Sequence, residues 1–313
     1  MSGMSSSFAS ILVQVFVPLA FPVVAGILLK RIKGLDTKPL SVVALYLLSP
    51  SIIFTTLLDA QVSAEDIGIT VSFSFINLLT MWGVSVLLGR LLKLGDSEKS
   101  GLTLVASFTN CVNYGLPLVL LAFGQAGLHK AAVYIVLQII IVNTIGVFFA
   151  ARSHFSVKKA GLAVLKLPAL YVAALAGLLR LSGTTLPESF ATGVDLLAAA
   201  YSPVVLVILG AQMASRASGE WEPRLQKAFQ AGLALRLAIA PLLSWLTLTL
   251  LGADRLLLGV LLVLASMPTA VNAVILAEQF NASPKFVSRC ILWTTVASFV
   301  VLPVLILFAG TNA

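Results

Sequence analysis

Charge is what this chain has least of. Only 10% of its 313 residues are Asp, Glu, Lys or Arg, against about a quarter in an ordinary soluble domain. A soluble globule of this length needs a charged shell, so that class is excluded. Cysteine is scarce as well. Cys111 and Cys290 both fall inside apolar runs, where a free thiol behaves as a small buried hydrophobe, and neither a disulfide nor a metal site is expected. The two histidines, His129 and His154, lie in expected loops with no partner for catalysis or ligation. HExxH, GxSxG, Walker A and CxxC patterns are missing too, which removes the commoner signatures of intramembrane hydrolases and ATP-driven pumps. No enzymatic activity and no cofactor is therefore expected. No Lys or Arg precedes the first apolar run, so the basic start of a signal peptide is missing and the first helix is expected to be retained.

What the chain has in abundance is apolar length. Hydrophobic residues make up 59% of it, and mean hydropathy is +1.05. A membrane-crossing helix needs about 20 apolar residues, and only helices or closed barrels satisfy their backbone groups in lipid. Ten such runs are read: Phe8–Leu29, Pro39–Leu58, Ile67–Gly89, Gly101–Phe123, Ala131–Ala151, Leu162–Leu181, Phe190–Ala214, Ala228–Leu251, Leu256–Ala277 and Phe286–Ala309. The net charge of +8 sits in loops beside these runs, which argues against nucleic-acid binding. Loops on one side carry Lys30, Arg31, Lys33 and Lys38, then Arg90, Lys93 and Lys99, then Arg152, Lys158, Lys159 and Lys166. The same side continues with Arg216, Arg224 and Lys227, then Lys285 and Arg289; the other side has Lys130, Arg180 and Arg255. Because cytoplasmic loops are enriched in Lys and Arg, both termini are expected outside.

Ten spans divide into two sets of five, residues 1–151 and 152–313. Five is odd, so the second set enters the membrane inverted. Leu48-Ser49-Pro50 in span two pairs with Tyr201-Ser202-Pro203 in span seven. Span four reads Ala106-Ser107-Phe108-Thr109-Asn110-Cys111-Val112-Asn113, and span nine reads Ala265-Ser266-Met267-Pro268-Thr269-Ala270-Val271-Asn272. Ala-Ser and Val-Asn align there at one offset of 159 residues. Both segments are interrupted by Pro and polar residues, the pattern that points to a transporter's binding site.

In span four, Pro117 lacks an N–H and its ring clashes with the carbonyl of Asn113, so a break is expected there. Gly115 gives the backbone access to conformations closed to other residues. Asn110, Asn113, Thr269 and Asn272 supply amides and a hydroxyl for a ligand or for freed backbone groups. Unwound backbone at membrane depth needs burial or a wet cavity. A cavity at the crossing is the favoured reading, with half-helix N-termini suited to a carboxylate or another anion; kinks packed inside the bundle are the other. Glu278 either serves function or simply reaches water. Asp59 and Asp195, near the outer ends of their helices, are equally ambiguous. Arg236 in span eight needs a carboxylate or wet cavity, or else snorkels to the cytoplasmic face. Gln138 and Asn143 in span five are candidates for bonds between helices. Gly26 and Gly177, in the first helices of the halves, fit either a dimer interface or packing within one protomer.

Thr109-Asn110-Cys111-Val112-Asn113-Tyr114-Gly115-Leu116-Pro117-Leu118 resembles the fourth-helix motif of the auxin efflux carrier family. Pro268-Thr269-Ala270-Val271-Asn272-Ala273 with Ile275-Leu276-Ala277-Glu278-Gln279-Phe280 resembles its ninth. The resemblance implies a crossover fold like that of bile acid symporters and sodium/proton antiporters. It implies a scaffold domain of helices one, two, six and seven and a transport domain of helices three to five and eight to ten. It also implies that Asn110, Pro117 and Pro268 line the crossing, with Asn113 and Asn272 beside them. The expected function is secondary or facilitated transport of small organic anions, such as malate, malonate or indole acids, by alternating access. An anion channel or a receptor using the same cavity is the alternative. Short loops fit a bacterial-type member in the inner membrane. Lipid surrounds it, a homodimer is possible from the likeness, and sodium and proton both stay open as coupling ions.

Overall fold

The computed structural model describes residues 8–59, 62–151, 168–184, 186–214 and 223–311. Arg152, His154, Lys158, Lys159, Lys166 and Arg216 lie outside the described residues, as do residues 162–167 of the sixth expected span. Among the described residues every regular element is a helix. In chain order they are α1 Phe8–Lys33, α2 Thr37–Leu58, α3 Ala64–Leu91, α4 Asp96–Ser107 and α5 Cys111–Ala150. There follow α6 Pro168–Ser182, α7 Glu188–Ala214, α8 Leu225–Leu250, α9 Arg255–Ala265, α10 Asn272–Gln279 and α11 Pro284–Thr311. By length and composition α1, α2, α3, α5, α7, α8 and α11 are each able to cross a membrane. Helix α5, 40 residues long, is interrupted at Gly124, whose φ of 65° and ψ of −162° only glycine adopts freely.

Four of the prolines follow a widened helical turn. Four turns are of the wide π type: Leu12–Phe16, Ala44–Leu48, Cys111–Gly115 and Leu235–Ile239. Each ends two residues before a proline, namely Pro18, Pro50, Pro117 and Pro241. A proline ring collides with the carbonyl four residues earlier and offers no N–H to it, and a turn with one extra residue moves that carbonyl aside. A fifth π-turn, Val142–Gly146, has no such proline.

The wide turn in α8 also changes what the helix touches. Before Leu235 its residues pack on α4 and α11; from Ala240 onward they pack on α3 and α9. Elsewhere α1 and α7 lie along each other, and α2 packs on both α6 and α7. Glycine makes the α1–α7 seam possible. A Cβ on Gly26 would stand 2.1 Å from the Val207 carbonyl oxygen, and one on Gly210 would stand 1.9 Å from that of Val23. The two backbones touch with nothing between them. Gly26 therefore serves packing within the protomer, whereas Gly177 has open space where a Cβ would go. A cluster of Leu19, Val23, Tyr114, Leu206, Leu209 and Met267 then joins this pair to α5 and the segment after α9.

One charged cluster ties helix starts together. Ser63 and Asp66 form a reciprocal capping box on α3, and Asp254 caps α9 by accepting from the Leu257 N–H at 2.9 Å. Lys130, six residues past the Gly124 break in α5, donates to both carboxylates at 2.6 Å. Each carboxylate also faces the positive end of the helix it caps.

Two substitutions check this packing. Gly210→Ala should force α1 from α7 and lower stability by about 1–3 kcal/mol, the usual cost of overpacking, read by thermal unfolding in detergent. Lys130→Met should lower it by about 1–3 kcal/mol, with a smaller loss at high salt, because Asp254 is half exposed and its pairing is screened whereas Asp66 is buried.

Candidate functional site at the helix crossing

Helix α4 stops at Ser107 because Phe108 turns to extended backbone, φ −116° and ψ 122°. Helix α9 stops at Ala265, and the chain stays non-helical until α10. The two interruptions meet as a single antiparallel β-bridge, Thr109 opposite Thr269. The Asn110 N–H donates to the Pro268 carbonyl at 2.8 Å and the Ala270 N–H to the Phe108 carbonyl at 2.9 Å. Thr109 plus the sequence offset of 159 is position 268, so the bridge joins residues one position from repeat-equivalence. Thr269, fully buried, is pinned from two further sides. Its N–H donates to the Thr294 hydroxyl at 3.2 Å and its own hydroxyl to the Val105 carbonyl at 3.4 Å.

Two helices ending here bring two negative dipole ends together in a dry interior, each equivalent to roughly half an electron charge. Arg236, 1% exposed, lies between them. Its guanidinium donates to the carbonyls of Ala106 at 2.8 Å, Ala265 at 2.6 Å and Met267 at 2.7 Å. Ala106 and Ala265 are the repeat-equivalent alanines, so one side chain caps the same atom of both motifs. Burying a guanidinium costs several kcal/mol. Three charge-assisted bonds at about 1.5–3 kcal/mol each are of the size needed to offset it, and the charges sum to about zero.

With the C-terminal ends neutralised, the opposite ends remain. The N–H groups of Asn113 at the start of α5, and of Val271 and Asn272 at the start of α10, have no backbone acceptor among the described residues. The Asn110 side-chain amide, 4% exposed, has an Nδ2 without a partner, and the buried hydroxyls of Ser107 and Ser266 have none either. The described ion pairs, Lys99 with Asp96 and Lys130 with Asp66 and Asp254, all lie elsewhere. The crossing therefore offers donors and positive dipole ends with no resident carboxylate among the described residues.

A model of the family described as membrane transport protein matches residues 10–306. The chain belongs to that family. It is the auxin efflux carrier family that the two motifs resemble. An uncharacterized transporter of Methanothermobacter thermautotrophicus is 27% identical over 270 residues, covering 86% of this chain and 87% of that protein. An uncharacterized transporter of Methanocaldococcus jannaschii is 26% identical over 284 residues, covering 87% and 89%. The family membership makes this an integral membrane transporter and points to transport rather than catalysis.

Within this family member the sequence-derived candidates separate. Asn110, Pro268 and Thr269 meet in the bridge. Asn113 is half-buried, and its Oδ1 accepts from the Tyr201 hydroxyl of α7 at 3.3 Å. Asn272 is exposed at the first position of α10, and Glu278 is exposed in its last turn. Gln138 is buried in α5; Asn143 is in the same helix, with its side chain outside the described residues. Asp59 and Asp195 are exposed.

Three expectations need correction. The break in span four falls at Phe108–Asn110 and not at Pro117, which is the second residue of regular helix after a π-turn that absorbs its ring. Gly115 is ordinarily helical, φ −68° and ψ −45°; its glycine is needed for space, since a Cβ would stand 2.7 Å from Leu264 Cδ2. Arg236 neither snorkels nor meets a carboxylate: backbone carbonyls accept from both its terminal nitrogens, and its buried Nε has no partner among the described residues. At the crossing itself Thr109, Asn110, Pro268 and Thr269 are all buried. Sequence reasoning also passed over Thr294, whose hydroxyl props the bridge. A threonine pair within the apolar stretch of α11 was its only signal.

Arg236→Met should lower stability by about 3–5 kcal/mol, since two helix ends lose their counter-charge. Arg236→Lys should recover only part of it, as one ammonium lacks the fork that spans three carbonyls. Thermal unfolding of the purified variants reads both, and a Met variant as stable as the parent would remove the charge-balance account.

Proposed function

We propose that the chain is a secondary carrier of small organic anions, built as ten spans in two inverted five-helix repeats. In this reading α4 with residues 111–123 forms span four, residues 125–150 form span five, and α9 with α10 forms span nine. Each half of span four is about 18–20 Å long, so the bridge between them lies near the middle of a roughly 30 Å hydrocarbon core. The observation that carries the reading is the crossing itself. Two interrupted helices present unpaired N–H groups and an unpartnered buried Asn110 amide, and the only buried cation there is spent on helix C-termini. Unwound backbone paired with positive helix ends is how membrane carriers hold anionic groups.

The packing supports a division of labour. Helices α1, α2, α6 and α7 form the scaffold; the remaining helices form a transport body that carries the crossing. Asn113, bonded to Tyr201 of α7, sits on the boundary between them, where a sliding motion makes and breaks contacts. Alternating access follows when the transport body moves and exposes the crossing to each side in turn. Malate, malonate and indole-acetate are the carboxylates of first choice, and the basic loops support a topology in the inner membrane with both termini outside.

Uptake of labelled malate, malonate and indole-acetate into proteoliposomes tests this. Asn110→Ala should reduce uptake about tenfold or more, the size of one charge-assisted bond, and Asn113→Ala should reduce it too. Uptake unchanged by both substitutions removes the site assignment. Saturable counterflow is expected, and a conductance far above carrier turnover would mean a channel instead.

A further inference from the structure

A cavity of about 360 Å³ lies away from the crossing, between α3, α4 and the end of α5. Its walls divide by chemistry. Arg90, in the last turn of α3, and Lys99, one turn into α4, bring two cations to its rim. Trp82, Phe148 and Phe149 form the apolar part, with Trp82 and Phe149 stacked at 5.5 Å between ring centres. Trp82 precedes Arg90 by eight residues, so its backbone sits about 12 Å nearer the start of α3.

The cations are not consumed by the fold. Arg90 is exposed and makes no ion pair among the described residues. Among the described residues Lys99 pairs with the exposed Asp96, at 3.4 Å. Gly89 directs the lysine: a Cβ there would stand 3.1 Å from Lys99 Cγ, so the glycine lets the stem lie flat on α3 beside Arg90. Trp82 and Phe148 are 38% and 42% exposed, on helices that belong to a membrane protein.

We infer that this cavity binds an anionic phospholipid, its phosphate between Arg90 and Lys99 and its upper acyl chain against Trp82, Phe148 and Phe149. Charge at a helix end with aromatic surface two turns deeper matches the layered chemistry of a phospholipid, and basic pockets between helices are where anionic headgroups bind. A free phosphate ester satisfies the cations but leaves the aromatic wall unused. The site also reaches the crossing. Phe149 packs on Phe108 at 6.0 Å, and the Phe108 carbonyl is one of the two that hold the bridge. A bound acyl chain therefore sets the position of a ring that leans on the crossing.

The test needs no transported substrate, so it is independent of the carrier reading. A full-length W221F/W245F/W293F protein keeps Trp82 as its single tryptophan. Reconstituted with acyl-brominated phosphatidylglycerol in place of acyl-brominated phosphatidylcholine, it should show Trp82 quenching at several-fold lower mole fraction, about fivefold for each cation engaged. Arg90→Gln with Lys99→Gln should abolish the difference, and Arg90→Lys with Lys99→Arg should retain it. Equal quenching by the two lipids overturns the inference, as does a preference that survives the double Gln change or is lost in the charge-retaining pair. Excess soluble glycerol phosphate should leave the preference intact; its disappearance would assign the site to a free phosphate ester and reject the lipid.

Discussion

Arg236 holds together what the rest of the molecule requires to be apart. Two helices stop in the interior and leave carbonyls that no water reaches, and a single guanidinium bonds Ala106, Ala265 and Met267 at once. Without a cation the two negative helix ends would repel each other across a dry gap. Without the interruptions there would be no unpaired donors facing them from α5 and α10. The bridge between Thr109 and Thr269, the prop from Thr294 and the close approach of Gly115 to Leu264 all depend on those ends staying where the arginine keeps them.

The helical membrane class was legible because scarcity of charge excludes a soluble globule and the apolar runs have the length of spanning helices. The position of the crossing was legible from the Ala-Ser and Val-Asn pairs, and Ala106 and Ala265 proved to be two of the carbonyls that Arg236 holds. What hydropathy could not carry was partnership. A lone arginine in an apolar run announces an expense but not the group that offsets it, and backbone carbonyls of distant helices leave no mark in a sequence. Pro117 misled for a related reason. Its steric demand is real, yet a wide turn meets it locally, and the chain breaks where Phe108 goes extended instead.

Electrostatically the molecule sorts its charges by depth. Carboxylates cap the starts of α3 and α9 and share Lys130, basic side chains gather where α3 gives way to α4, and among the described residues the one fully buried cation, Arg236, gives both terminal nitrogens to helix-end carbonyls. In the proposed reading, the net donor character left at the crossing selects for anions without any charged side chain touching them. Recognition by backbone and amide alone is mild, which suits a site that must release what it binds.

The wide turn at Leu235–Ile239 has a consequence for how the chain tolerates change. Adding one residue to a turn rotates everything beyond it by about 100°, and α8 uses that rotation to leave α4 and α11 and meet α3 and α9. Arg236 sits on the swivel itself. Losing a single residue there would leave both halves of α8 helical and equally apolar, yet turn the second half's contact surface toward the wrong neighbours. The helix is thus two packing surfaces spliced out of phase, and the splice is as specific as either surface.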